Sequence, residues 1–205
     1  MAPAQPSTRS RRRRQRRFLR DCARLTWSYF ERYVVEQEHH LPPDNVQFTP
    51  DGVIAHRTSP TNIGLALLAN LSATDFGFLS REDLIGRTRA CFATLQRLER
   101  HRGHFYNWYD TRTLQPLPPL YVSTVDSGNL CAHLLVLRAG LQELGRTPYD
   151  PGRIITGVRD TARALQAHCG PEETAALMML LEPAPDPLGA GLRATHEWLE
   201  RVAQA

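Results

Sequence analysis

Apolar residues recur every three to four positions along most of the chain, the spacing of helices packed on one side. Phe18, Cys22, Leu25, Tyr29 and Tyr33 form the first such stripe and predict a helix reaching about Gln37. The period then fails over 38–59, which carries the turn signals Pro43-Asp44-Asn45 and Pro50-Asp51-Gly52. Ser59-Pro60 supplies a cap and a first-turn proline for a second helix through Ile63, Leu67, Leu68 and Leu71, with Gly77 placed to end it. Ser80 with Asp83 resembles a capping box for a third, through Leu84, Thr88, Cys91, Leu95 and Leu98, ending at Gly103. Asp126 or Ser127 opens a fourth, with Leu130, Leu134, Leu137 and Leu141 inside and Gly145 at its close. Asp150-Pro151 starts a fifth through Ile154, Ile155, Val158 and Leu165. Pro171-Glu172-Glu173 starts a short sixth, and Gly191 to about Val202 forms a seventh. Extended pieces are short, at 104–109 and 120–123. The pattern predicts an all-α chain of helical hairpins, with the long loops 38–59 and 103–125 gathered at one end.

Composition changes this picture in one place. Hydrophobic content of 41% and charged content of 22% are ordinary for a soluble domain of 205 residues. The net charge of +4 is unevenly distributed, because residues 9–20 (RSRRRRQRRFLR) hold eight arginines and no acid. Without them 17 cationic residues face 21 acidic ones, a net of −4. Residues 1–17 therefore read as a disordered arginine-rich arm, or a solvated basic start to the first helix, with polyanion binding the sharper alternative. Residues 18–146 form the main helical region and 147–205 a further helical segment, with 181–191 (LEPAPDPLGAG) as a linker. Cys22, Cys91, Cys131 and Cys169 lack C-x-x-C spacing and read as buried free thiols, with no metal and no cofactor expected. His39-His40 beside Glu36 and Glu38 reads as a solvent-exposed helix end, and His133 as a satisfied core histidine. No apolar run approaches a membrane span and no signal peptide is expected. The chain itself reads as cytoplasmic, with no specific nucleic-acid partner.

The two long loops hold the candidate chemistry. One carries Asp44, Asn45, His56, Arg57, Thr58 and Ser59. The other carries His104, Tyr106, Asn107, Trp108, Tyr109, Asp110, Arg112 and Tyr121, then Ser123, Thr124 and Asp126. Rings offer rigid apolar faces for pyranose C–H groups, while carboxylates, amides and guanidinium groups match hydroxyls. The competing reading is that Phe105, Trp108 and Tyr109 cover the end of a core, and that Asp110-Thr-Arg is an ordinary turn.

LPPDNVQ, HRTSPTNIGL, RGHFYNWYDTRTLQPL and YVSTVDSGNL, in that order, resemble the central glucoamylase-like region of cyclic β-1,2-glucan synthases, from about Phe18 to about Leu144. The resemblance implies part of an (α/α)6 toroid, about half of the barrel, with a glucan cleft at one end. In that family the region lies in a large inner-membrane enzyme, between a UDP-glucose-dependent glycosyltransferase region and a phosphorylase-like region. Its attributed role is transglycosylation, cutting linear β-1,2-glucan and closing it into a ring with a sugar hydroxyl as acceptor. By that resemblance Asp110 and Asp126 have a catalytic or supporting role. Asp44, Asn45, Arg57, His104, Tyr106, Asn107, Trp108, Tyr109 and Arg112 would bind substrate, and the remainder of the synthase is a further expected partner. The segment is expected to be inactive alone. The alternatives are a non-catalytic glucan- or polyanion-binding helical module, or a stand-alone hydrolase drawing its acid pair from Asp44, Asp110 and Asp126.

Overall fold

The computed structural model describes residues 8–50, 52–182 and 191–204. It is all-α, with helices α1 (Thr8–Tyr33), α2 (Pro60–Phe76), α3 (Arg81–Arg97), α4 (Thr124–Arg146), α5 (Pro151–Cys169), α6 (Ala175–Leu180) and α7 (Gly191–Ala203) and a 3-10 turn at Glu36–Glu38. Six two-residue strands pair antiparallel: β1 (Val46–Gln47) with β2 (Val53–Ile54), β3 (Arg57–Thr58) with β6 (Tyr109–Asp110), and β4 (Arg100–His101) with β5 (His104–Phe105). Among the described residues no helix is long and apolar enough to cross a membrane.

The helix starts follow the predicted caps. Ser59 Oγ accepts the Asn62 N–H at 3.2 Å, Ser80 Oγ accepts that of Asp83 at 3.0 Å, and Asp150 Oδ1 accepts that of Gly152 at 2.9 Å. Each such cap contributes about 1 kcal/mol. The fourth helix begins earlier than predicted, because Ser123 is its cap and accepts the Asp126 N–H at 3.1 Å. The third ends at Arg97, short of Gly103. Arg102 and Gly103, at φ 52° and 86°, instead form the two-residue turn of the β4–β5 hairpin, a turn that needs positive φ at both places.

The contacts divide the chain into two compact units, one holding Ser28–Asp75 and Leu79–Tyr149, the other the remaining described residues. In the first, α2 is mainly apolar with no separate polar face and buries nine of its 17 residues, so it runs through the interior. Leu84, Thr88, Cys91 and Leu95 of α3 are buried, with Leu98 just beyond its end, as their stripe predicts. Leu130 and Leu137 of α4 complete a core with Ile63, Leu67 and Leu71. Gly64 and Gly140 let α2 and α4 approach closely. A Cβ on Gly64 would stand 2.2 Å from His133 Nδ1, and one on Gly140 2.3 Å from Leu71 Cδ2. With Asn129 Nδ2 donating to Thr61 Oγ1 at 3.1 Å, these pairings advance together along both helices. α2 and α4 therefore lie side by side and run in the same direction, with their N-termini at one end. His133 departs from expectation, since its buried Nδ1 has no hydrogen-bond partner among the described residues.

The other unit decides between the two readings of the arm. Residues 8–17 are the exposed first turns of α1, a solvated basic start to the first helix and not a disordered arm; residues 1–7 lie outside the described residues, as do residues 183–190 of the expected linker. The stripe through Phe18 and Leu25 is not the buried face, since these side chains are 63% and 52% exposed. The inward line is Arg20, Ala23, Arg24 and Trp27 instead. Arginine stems can cover apolar surface while their heads find partners. Arg20 Nε donates to buried Asp160 at 2.5 Å, and its Nη2 to the Phe76 carbonyl at 2.8 Å. Asp160 also pairs with Arg163. Ile155, Ala162, Leu181 and Trp198 form a small core, whereas Leu165, expected inside, is exposed. Cys91 is buried and its thiol is pushed up to about 12 by that burial, but Cys22, Cys131 and Cys169 are exposed, against expectation.

Candidate functional site

The two long loops meet through the short β3–β6 ladder, which sets Arg57 opposite Asp110 and Thr58 opposite Tyr109. The Thr111 N–H extends the ladder by donating to the His56 carbonyl at 3.1 Å. Both loops therefore sit at the N-terminal ends of α2 and α4, as the alternation of short and long links predicts.

A carboxylate that the sequence left at an exposed helix end ties them together. Glu38 is only 8% exposed. Its Oε1 lies 2.7 Å from His56 Nδ1 in the first loop, and its Oε2 accepts the hydroxyl of Thr111 in the second. His39 adds a 2.9 Å contact from its Nδ1 to the Thr111 carbonyl, and its own carbonyl accepts Thr94 Oγ1 at 2.6 Å. His39 and His40 have φ of 51° and 58°, so the chain reverses here and does not end as a solvated helix. Glu38 was legible only as one of a cluster of acids and histidines, because its partners are 18 and 73 residues away.

On the first loop, Asp44 is a hub. Its Oδ2 accepts from Arg57 Nη2 at 3.0 Å and from Asn45 Nδ2 at 3.0 Å, while Oδ1 accepts from Asn62 Nδ2 at 3.2 Å. Thus aligned, the Arg57 guanidinium lies 4.8 Å from the centre of the Trp108 ring. This cation–π stack joins the loops a second time and keeps both groups partly open to solvent. Asn107 is 6% exposed and holds Trp108 from beneath. The amide orientation that satisfies its neighbours accepts from Trp108 Nε1 at 2.8 Å and from the Tyr121 hydroxyl at 2.7 Å, and donates to Asp126 Oδ2 at 2.9 Å.

Asp126 thus ends a relay from Trp108 through Asn107 to the start of α4. Burial by itself would raise its pKa, but hydrogen bonds from Ser123, Thr61 and Ser59 outweigh that and hold it below the usual carboxylate range. Asp110 behaves alike. Desolvation raises it, yet the Thr113 and Arg112 N–H groups, both 2.8 Å from Oδ1, bring it lower. It is the acceptor of a tight turn, the bland reading of Asp110-Thr-Arg. Two carboxyls kept ionised by donors are suited to orienting partners and unsuited to donating a proton.

The remaining candidates separate. Tyr109 is completely buried; its hydroxyl donates to the Glu99 carbonyl at 2.6 Å, accepts the Tyr106 N–H at 2.7 Å, and is pushed up to about 12 by burial. It belongs to the core and has no face for a ligand, which corrects its expected role. Tyr106 is half-buried against it, with ring centres 6.4 Å apart. His104 is exposed on the β4–β5 hairpin, and the Arg112 side chain is exposed at the turn. Tyr121, grouped with the loop aromatics from sequence, is exposed beside Asn107. Among the described residues no group of three His, Cys, Asp or Glu side chains is arranged to hold a metal ion.

No protein-family model matches the chain. It is 48% identical over 150 residues to the cyclic β-(1,2)-glucan synthase NdvB of Rhizobium meliloti (strain 1021). That match covers 72% of this chain and 5% of the relative. Identity at this level, over a stretch long enough to include most of the helices, supports kinship of this chain with the cyclic β-(1,2)-glucan synthases.

Proposed function

We propose that residues 28–149 are a glucan-binding segment of a cyclic β-1,2-glucan synthase. It belongs to the glucoamylase-like region and contributes to transglycosylation and ring closure within a larger helical toroid. The observation that carries the reading is the pair of long loops locked together at the N-terminal ends of two parallel helices, with Arg57 stacked on Trp108. Trp108, Tyr106 and Tyr121 offer ring surface, while Asp44, Asn45, Arg57 and Arg112 offer hydrogen bonds to hydroxyls. Asn107 positions Trp108. Asp110 and Asp126 set the loop and the helix start, so the segment binds glucan without completing the chemistry alone. The parallel α2 and α4 support the toroid, since successive inner helices of such a barrel share one direction. The outer face of α4 is also apolar, with Val125, Leu135 and Val136 at 69%, 61% and 52% exposure. Such a face suits packing against further helices of a longer protein.

Titration of the 205-residue chain with linear β-1,2-glucan oligosaccharides tests this. Binding is expected to persist at high salt and to fall about tenfold or more in Trp108→Ala, the scale of losing one aromatic anchor. Equal affinity in that variant, or ring formation by the purified chain, would overturn the reading.

A further inference from the structure

The other unit carries a groove of about 820 Å³ lined by seven arginines and two acids, Asp160 and Glu182. Arg13, Arg16, Arg17 and Arg20 project from one face of α1, at the i, i+3, i+4 and i+7 spacing. Arg159 and Arg163 face the same space from α5. Asp160 anchors Arg20 and Arg163. Among the described residues no carboxylate pairs with Arg13, Arg16, Arg17 or Arg159. The Nε–H of Arg163, buried in the wall, has no acceptor among them either.

This arrangement is unfavourable by itself. Like charges three and four residues apart on a helix repel. The first turns of α1 contain no acid, although that end of a helix favours anions. An anion in the groove would remove both penalties together.

We infer that this groove binds a phosphate group, carried by a free polyphosphate or by an anionic lipid headgroup. Guanidinium forks match phosphate oxygens bidentately, and the groove volume lies in the range of small-ligand sites. The site is independent of the glucan reading, since every lining residue lies outside residues 28–149.

Calorimetric titration of the full chain with inorganic tripolyphosphate at low salt tests it. Binding should weaken at least about tenfold in the Arg13→Ala/Arg17→Ala/Arg159→Ala variant, a loss set by removing three charge-assisted partners. Helical circular dichroism and glucan affinity should not change, so failure here is distinguishable from failure of the glucan proposal. Phosphatidylcholine vesicles with and without phosphatidylglycerol identify the source. Capture only by the anionic vesicles, reversed by tripolyphosphate, assigns a headgroup, and tripolyphosphate binding without capture assigns a free phosphate. Undetectable tripolyphosphate binding, or the same affinity in the triple variant, overturns the site. So does duplex DNA binding that tripolyphosphate cannot displace.

Discussion

The two units use charge in opposite ways. In residues 28–75 with 79–149, twelve buried apolar residues form a continuous core, and the polar groups sit at its loop end as hydrogen-bonded struts. Glu38, Asp44, Asn107 and Asp126 each hold two or more partners from separate segments. In the other unit, among the described residues, Ile155, Ala162, Leu181 and Trp198 form a smaller buried apolar cluster, and Asp160, 1% exposed, sits between arginines of α1 and α5. The first unit packs by exclusion of water and aims its loops with polar groups. The second adds ion pairs between α1 and α5 to a smaller apolar cluster.

Three perturbations would break or sharpen that contrast. The largest effect is expected for Asp160→Ala, which removes the buried carboxylate that Arg20 and Arg163 share and should cost about 3 kcal/mol. The loss should fall on the transition reported by Trp198, whose Nε1 donates to the Leu180 carbonyl at 3.1 Å. A denaturant midpoint unchanged from wild type would refute the idea that an ion pair holds this unit. Glu38→Ala should cost about 1–3 kcal/mol, the penalty for orphaning buried partners. It should also speed proteolytic cleavage within 38–59 and 103–125 together, and cleavage of one loop alone would mean that Glu38 does not couple them. The smallest effect is that of acid. Asp110 and Asp126 have folded-state pKa values below their unfolded ones, so they stabilise the fold above the unfolded pKa of about 4 and lose that contribution as pH falls through the folded values. The midpoint of residues 28–149 should be flat from neutrality to about pH 5 and decline below about pH 4. Asp126→Asn should reduce that decline. A decline of the same size in Asp126→Asn would place the acid sensitivity elsewhere.

Much of the fold was written locally and could be read locally. Ser59-Pro60, Ser80 and Asp150-Pro151 announce helices because a cap is a contract between residues two or three apart. The stripes of α2, α3 and α4 were legible because their inner faces are mainly apolar and carry no charged residue among the buried positions. α1 was misread because its inner face includes Arg20 and Arg24, whose partners Asp160 and Thr161 lie 140 and 137 residues away. Distance in sequence hid Glu38 for the same reason. Within GHFYNWYD the period gave no guide, because each aromatic does a separate task. Phe105 closes a hairpin under Arg100, Tyr109 fills the core, and Trp108 stays at the surface with Arg57.

The contact of Gly64 with His133 has a consequence for engineering the loop end. Gly64 lies one turn below the start of α2, out of reach of Trp108 and Arg57, yet its missing methyl group sets how near α4 can come. Gly64→Ala would force the His133 ring to give way or the two helices to part. Either movement is expected to displace the start of α4, where Asp126 holds Asn107 and through it the indole. Residue 64 is therefore a remote adjusting screw for the spacing of α2 and α4 beneath the loops, without any change to the residues of the loops themselves.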